Sequence, residues 1–199
     1  MAREPIDRRE HILASAAALF ARKGVAATTV REIADEVGIL SGSLYHHFES
    51  KEAIVDEIIS SYLEDLRARY KRVLASDADP RTRLHDLVVA SLDVVEAHPH
   101  ATEIYQNDVS YLSRLERFAY LKTTAREVQA CWIEVINAGV AQGAFRSDIE
   151  PKILYRLMRD AVWLSVRWFK PRRDYPVSRL AEDCTSLFID GLAHRAGRP

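Results

Sequence analysis

Arg159, Trp163 and Arg167 recur at intervals of four in a run, Tyr155 to Phe169, that contains no glycine or proline. At about 100° per residue they fall along one stripe of a helix. Two guanidinium groups flanking an indole suit an anionic, partly flat molecule. The guanidiniums pair with phosphate or carboxylate while the indole covers an apolar body. The same residues could instead be a surface or interface Arg–Trp stack, partly neutralised by Asp160 or Glu150. Tyr105, Gln106, Phe118, Trp132 and Met158 are candidates to line the same ligand site, each with ordinary core packing as the alternative.

A second constellation occupies residues 24–52, GVAATTVREIADEVGILSGSLYHHFESKE. A short helix, a glycine turn and a second short helix make a helix-turn-helix, whose second member can enter the major groove of DNA. Ser41, Gly42 and Ser43 are small enough to let that helix approach base edges. Tyr45 and His46 can reach flanking phosphates, and His47 is either a further contact or an idle surface histidine. Thr29 and Lys51 stand where helices begin, so backbone N–H groups add to their phosphate contacts. Ile33, Val37, Leu44 and Phe48 read as core. Arg3, Arg8 and Arg9 form a basic arm ahead of the motif that could follow the backbone or reach the minor groove.

Other chemistries find little support. Cys131 and Cys184 are far apart and lack metal-ligand spacing, which predicts a reduced, cytoplasmic protein. His98-x-His100 flanks Pro99 with no third ligand, and no G-x-S-x-G is present. No catalytic residue, metal or cofactor is therefore expected. No apolar run is long enough to span a bilayer, and MAREPIDRRE lacks a secretion signal's apolar segment. Lys and Arg number 28 against 29 Asp and Glu, a net charge of −1, so global charge announces no nucleic-acid partner. Residues 1–51 hold seven of each sign (Arg3, Arg8, Arg9, Arg22, Lys23, Arg31, Lys51; Glu4, Asp7, Glu10, Glu32, Asp35, Glu36, Glu49).

The elements that must position these residues are helical throughout. Asp7 with Glu10, and Thr29 with Glu32, have capping-box spacing and open helices over 8–23 and 29–37, stopped by Gly24 and Gly38. A third helix runs from near Ser41 to about His47, and Ser50 caps a fourth over 51–74. Prolines then punctuate helices over 81–97, 100–112 and 152–169, with a further one over 114–142 and a last over 177–195. Ile153, Leu157, Ala161, Leu164 and Trp168 line one face of the 152–169 helix. Leu180, Cys184, Leu187, Phe188, Gly191 and Leu192 line the last, where Ala181 and Gly191 would allow a close helix neighbour. These two helices are the expected dimer interface. The fold class is all-α, divided into 1–52 for DNA binding and 53–199 for ligand binding and dimerisation.

Thr28-Thr29, Gly38, Leu44-Tyr45-His46-His47-Phe48 and Ser50-Lys51-Glu52 give this chain a close resemblance to the TetR family. Where many members carry Ser or Thr two residues after the turn glycine, this chain has Leu40, and Ser41 is expected to take over the capping. GILSGSLYHHF (38–48), IYQ (104–106) and YRLMRDAVWLSVRW (155–168) further resemble one subgroup, actinobacterial repressors of the second cholesterol-catabolism regulon, which governs breakdown of the last two sterol rings. That resemblance implies a homodimeric repressor on palindromic operator DNA. It implies as inducer a coenzyme A thioester of a propanoate-bearing indanedione. A sensor of uncharged lipophilic compounds, an acyl-CoA-processing enzyme and a ligand-independent architectural DNA binder are the alternatives.

Overall fold

The computed structural model describes residues 8–191, and its only strand-like pairing is an isolated antiparallel bridge between Arg172 and Tyr175. Among the described residues nine α-helices follow one another: α1 Arg8–Lys23, α2 Val30–Val37, α3 Ser41–Tyr45, α4 Lys51–Leu74, α5 Pro80–Ala97, α6 Pro99–Leu112, α7 Tyr120–Ala141, α8 Pro151–Trp163 and α9 Val177–Asp190. Two 3-10 segments, Glu116–Phe118 and Leu164–Arg167, interrupt them. The described residues divide into two compact units, 8–64 with 98–124 and 65–97 with 125–191, so α4 and α7 each begin in the first and finish in the second.

In the first unit α1 packs on α2 and α6, and α2 on α3. Ile12, Ala16, Leu19, Phe20, Ile33, Ala34, Leu44 and Phe48 form the centre, as their three-and-four spacing requires. Thr29 accepts from the Glu32 amide while the Glu32 carboxylate accepts from the Thr29 amide, so two orphan donors at the start of α2 are satisfied. Gly38 closes α2 at φ 71°, a left-handed conformation that a side chain would resist, and Ile39 N–H donates to Ala34 C=O behind it. Ser50 Oγ accepts from Ala53 N–H and opens α4.

In the second unit α5 packs on α8 and α9. Leu84, Leu87, Val88, Leu92, Trp132, Val135, Met158, Val162, Leu180 and Ala181 are buried there. Among them runs a polar thread. Trp132 Nε1 donates to Tyr70 Oη at 2.9 Å, Tyr70 Oη and Ser91 Oγ lie 2.6 Å apart, and Ser91 Oγ donates to Leu87 C=O.

Several expectations are corrected. The 114–142 helix begins only at Tyr120, because Leu115 is extended (ψ 134°) and Phe118 buries its ring from a 3-10 turn. The 152–169 helix ends at Trp163, and Leu164–Arg167 is 3-10. The face expected to run to Trp168 therefore breaks at Leu164, and Trp168 instead sits edge-on to Phe169. Ser41 does not cap α3. Leu40 holds the N-cap position in extended geometry without a side-chain bond, and α3 stops at Tyr45. The last helix, expected to run to 195, ends within the described residues at Asp190, with Gly191 at φ 74° as its C-cap and nothing within 4 Å of where its Cβ would stand. Arg8 and Arg9 belong to α1, and Arg9 pairs with Glu57 and lies over the Phe48 ring at 4.6 Å, so they are no free arm. Asp7, Arg3 and Leu192 lie outside the described residues.

Candidate nucleic-acid interface and effector site

α3 turns Leu44 into the first unit, while Gly42, Ser43, Tyr45 and His46 are exposed and Ser41 is half-buried. Its outer surface is thus small at one end and carries a ring hydroxyl and an imidazole at the other. Leu40, 80% exposed, stands at its start. Thr29 is exposed at the start of α2. His47 is exposed as well and also lines a groove with Glu49, Asp56, Glu57 and Arg117. Arg117 there pairs with Glu49 and Asp56, and Tyr120 Oη donates to Asp56 at 2.9 Å. Burial first, and then Asp56, push the Tyr120 phenol up.

Lys51 is employed differently from the expectation. Its ammonium donates to Val25 C=O and Thr28 C=O, both at 2.9 Å, and so grips the connection between α1 and α2 from the first residue of α4. The other cations nearby are also matched within the unit: Arg22 with Glu36 at 3.5 Å, Lys23 with Glu32, and Arg31 with Asp35 at 3.9 Å.

The expected effector contacts are distributed over both units. Tyr105, Gln106 and Phe118 belong to the first, where Phe118 is buried and Tyr105 meets the Tyr62 ring at 5.8 Å. Trp132, Met158, Arg159, Trp163 and Arg167 belong to the second. Trp163 is buried at the end of α8, whereas Arg167 is exposed on the 3-10 segment. Arg159 pairs with Asp160, the neighbour named from sequence, and its guanidinium lies 5.9 Å from the Tyr155 ring. Tyr155 in turn packs on Trp132 at 6.3 Å. Sequence reasoning passed over Tyr155, although its place four residues before Arg159 was a visible signal.

Two cavities in the second unit also went unseen. One of about 380 Å³ is lined by Leu84, Ile136, Phe145, Leu154, Met158 and Phe188, with Arg81 bonded to Asp190 at 2.8 and 2.9 Å on its wall. Another of about 350 Å³ is lined by Tyr70, Leu74, Val128 and Cys131, beside Arg67 and Lys71. Burial raises the Cys131 thiol above its usual range. Among the described residues no group of three or more His, Cys, Asp or Glu could hold a metal, and no helix is long and apolar enough to cross a membrane.

A short α2, a left-handed glycine turn and a short exposed α3 on a helical support define a helix-turn-helix protein. Residues 12–58 match the family described as bacterial regulatory proteins, tetR family, and residues 77–192 match the tetracyclin repressor-like C-terminal domain. The transcriptional repressor KstR2 of Rhodococcus jostii is 46% identical over 94% of this chain and 91% of its own. The structure of the ketosteroid transcriptional regulator KstR2 of Mycobacterium tuberculosis agrees with a TM-score of 0.89 at 39% identity, covering 98% of this chain and 99% of that one. AibR, solved with isovaleryl coenzyme A and operator DNA, shares the fold at a TM-score of 0.79 and 22% identity, over 92% of this chain and 98% of that one. The chain belongs to the TetR family and is a transcriptional repressor of that family.

Proposed function

We propose that the chain is a cytoplasmic homodimer that represses by occupying a palindromic operator and leaves it when a coenzyme A thioester of a sterol-ring fragment binds. Residues 1–52 read DNA and 53–199 sense and dimerise. The observation that carries the DNA half is α3, with Leu44 inward and Ser43, Tyr45 and His46 outward. In this reading Ser41, Gly42 and Ser43 approach base edges, and Thr29, Tyr45, His46 and His47 hold phosphates. Lys51 acts by fixing the α1–α2 connection, its third N–H being left for a phosphate.

Dimerisation is supported by an apolar face on α8 and α9: Ile153, Leu157 and Leu187 are 44, 64 and 46% exposed. Large apolar side chains so displayed suit burial against a second copy. Two reading helices would then meet half-sites about 34–36 Å apart.

In this reading Arg159 and Arg167 take the phosphates and Trp132, Met158 and Trp163 supply the apolar lining, all five lying in the second unit. The likeness to the KstR2 repressors supports a steroid-derived ligand, and AibR is an instance of this fold carrying both a coenzyme A thioester and operator DNA. Ligand bound along α8 would bias α4 toward an arrangement in which both half-sites cannot be met. About 3 kcal/mol of differential binding suffices for a more than hundredfold change in operator affinity.

A second reading, a sensor of uncharged lipophilic compounds, is favoured by the apolar cavity beside Tyr70 and by the Arg159–Asp160 pair. A gel shift on the protein's own upstream region, with and without steroid-derived thioesters, tests the first. Unchanged DNA affinity at saturating thioester refutes it. Arg159→Met separates the two: a thioester sensor loses its response, a lipophilic sensor keeps it.

A further inference from the structure

Beyond α8 lies a segment in which only Arg167 has been given a task. Arg167, Lys170, Arg172 and Arg173 fall within seven residues, with Asp174 as the one acid among residues 167–175. In a chain of net charge −1 this is a concentrated excess of positive charge. All four cations are exposed, and Lys170 and Arg173 make no ion pair with any described residue. Trp168, in the same segment, is 64% exposed.

The segment is held in shape. Arg172 and Tyr175 exchange two backbone hydrogen bonds, each 3.1 Å, and Pro171 restricts the approach to that turn. Phe169 N–H donates to Ser165 C=O at 2.7 Å. The Phe169 ring lies 6.0 Å from both the Trp168 and the Tyr175 rings, edge-on to each. Tyr175 Oη donates to Asp183 at 2.6 Å, which directs that nearby carboxylate toward the tyrosine, while Arg179 meets it at 3.3 Å. Asp174 lies 3.6 Å from Arg172. The acids around the hairpin are thus already matched, whereas Lys170 and Arg173 are not.

A preformed hairpin with several guanidiniums, an ammonium and an uncovered indole matches a phosphorylated purine nucleotide. Arginine forks take phosphate oxygens in pairs, and an indole face stacks on a base. We propose that residues 167–175 bind the 3′-phosphoadenosine diphosphate end of the effector, with Lys170, Arg172 and Arg173 on the phosphates and Trp168 on the adenine. This rests on the thioester reading for its biological ligand. The hairpin's affinity for the nucleotide is measurable without it.

The probe is adenosine 3′,5′-bisphosphate, titrated into the full chain and followed by calorimetry and by quenching of tryptophan fluorescence. Saturable binding is expected, weakened at least tenfold in the Lys170→Ala, Arg172→Ala, Arg173→Ala triple variant at unchanged melting temperature. Trp168→Leu should abolish the quench attributable to stacking. Absent binding, equal binding by the triple variant, equal binding of unphosphorylated adenosine, or displacement of duplex DNA alone overturns the site. Operator release is scored separately. If the triple variant is released at the wild-type thioester concentration, the hairpin site is wrong and the effector reading stands. If the bisphosphate binds as expected but no thioester releases operator, the hairpin site stands and the effector reading is wrong.

Discussion

Burying the Tyr70 hydroxyl is tolerable because both its roles are filled, accepting from Trp132 Nε1 and sharing a hydrogen bond with Ser91. Burial, the larger influence, raises its phenol well above the ordinary range against the opposing effect of those two partners. Tyr70→Phe leaves the Trp132 N–H buried without an acceptor, and should cost about 1–3 kcal/mol, seen as a lower urea midpoint at unchanged slope. Glu32 behaves oppositely. The hydrogen bond from Lys23, and then those from Thr29, hold its carboxyl at about 2 instead of 4.5. Its folded value is depressed, so its contribution is complete above about 4.5 and lost as pH falls toward 2. The protection factors of the amides in the first turn of α2, which already allow for the pH dependence of intrinsic exchange, should therefore fall across that interval, and Glu32→Gln should remove the fall.

At the scale of the element, Gly139 on α7 marks a contact that no pattern announced. A Cβ there would stand 2.0 Å from the Phe145 ring, which folds back on the helix as Phe145 N–H donates to Gly139 C=O. Gly139→Ala must displace that ring from the cavity it lines and should destabilise by about 1–3 kcal/mol in a thermal melt. Helix starts were legible wherever local chemistry writes them: the Thr29–Glu32 box, Ser50, and Pro80, Pro99 and Pro151 all stand where helices open. The end of α8 was not, because no glycine or proline lies between Trp163 and Arg167. Buried Ser165 instead directs its hydroxyl to Val162 C=O, an alternative partner for backbone that sequence spacing does not reveal. The delay of α7 to Tyr120 is likewise tertiary, since Arg117 is drawn to Glu49 and Asp56. For the same reason the outward set on α3 could be read from its small and polar residues, whereas the double bond from Lys51 to Val25 and Thr28 could not.

For the whole molecule, the exposed α8 and α9 face predicts what controls assembly. Leu157→Glu should convert the proposed dimer to a monomer in sedimentation velocity and weaken operator binding by about a hundredfold, with helical content retained. Charge sets a second expectation. Because Arg22, Lys23 and Arg31 each meet an acid on α2, these three cations are expected to displace few counterions from DNA. The logarithm of operator affinity should fall with the logarithm of salt at a slope of about −4 or shallower, and a slope near −10 would contradict this account.

The grip of Lys51 on two carbonyls also has a mechanical meaning. It joins the base of α4 to the strap ahead of α2 at two points, and two points resist swivelling where one would permit it. Turning the stem of α4 would then carry α2 and α3 along like the head of a wrench.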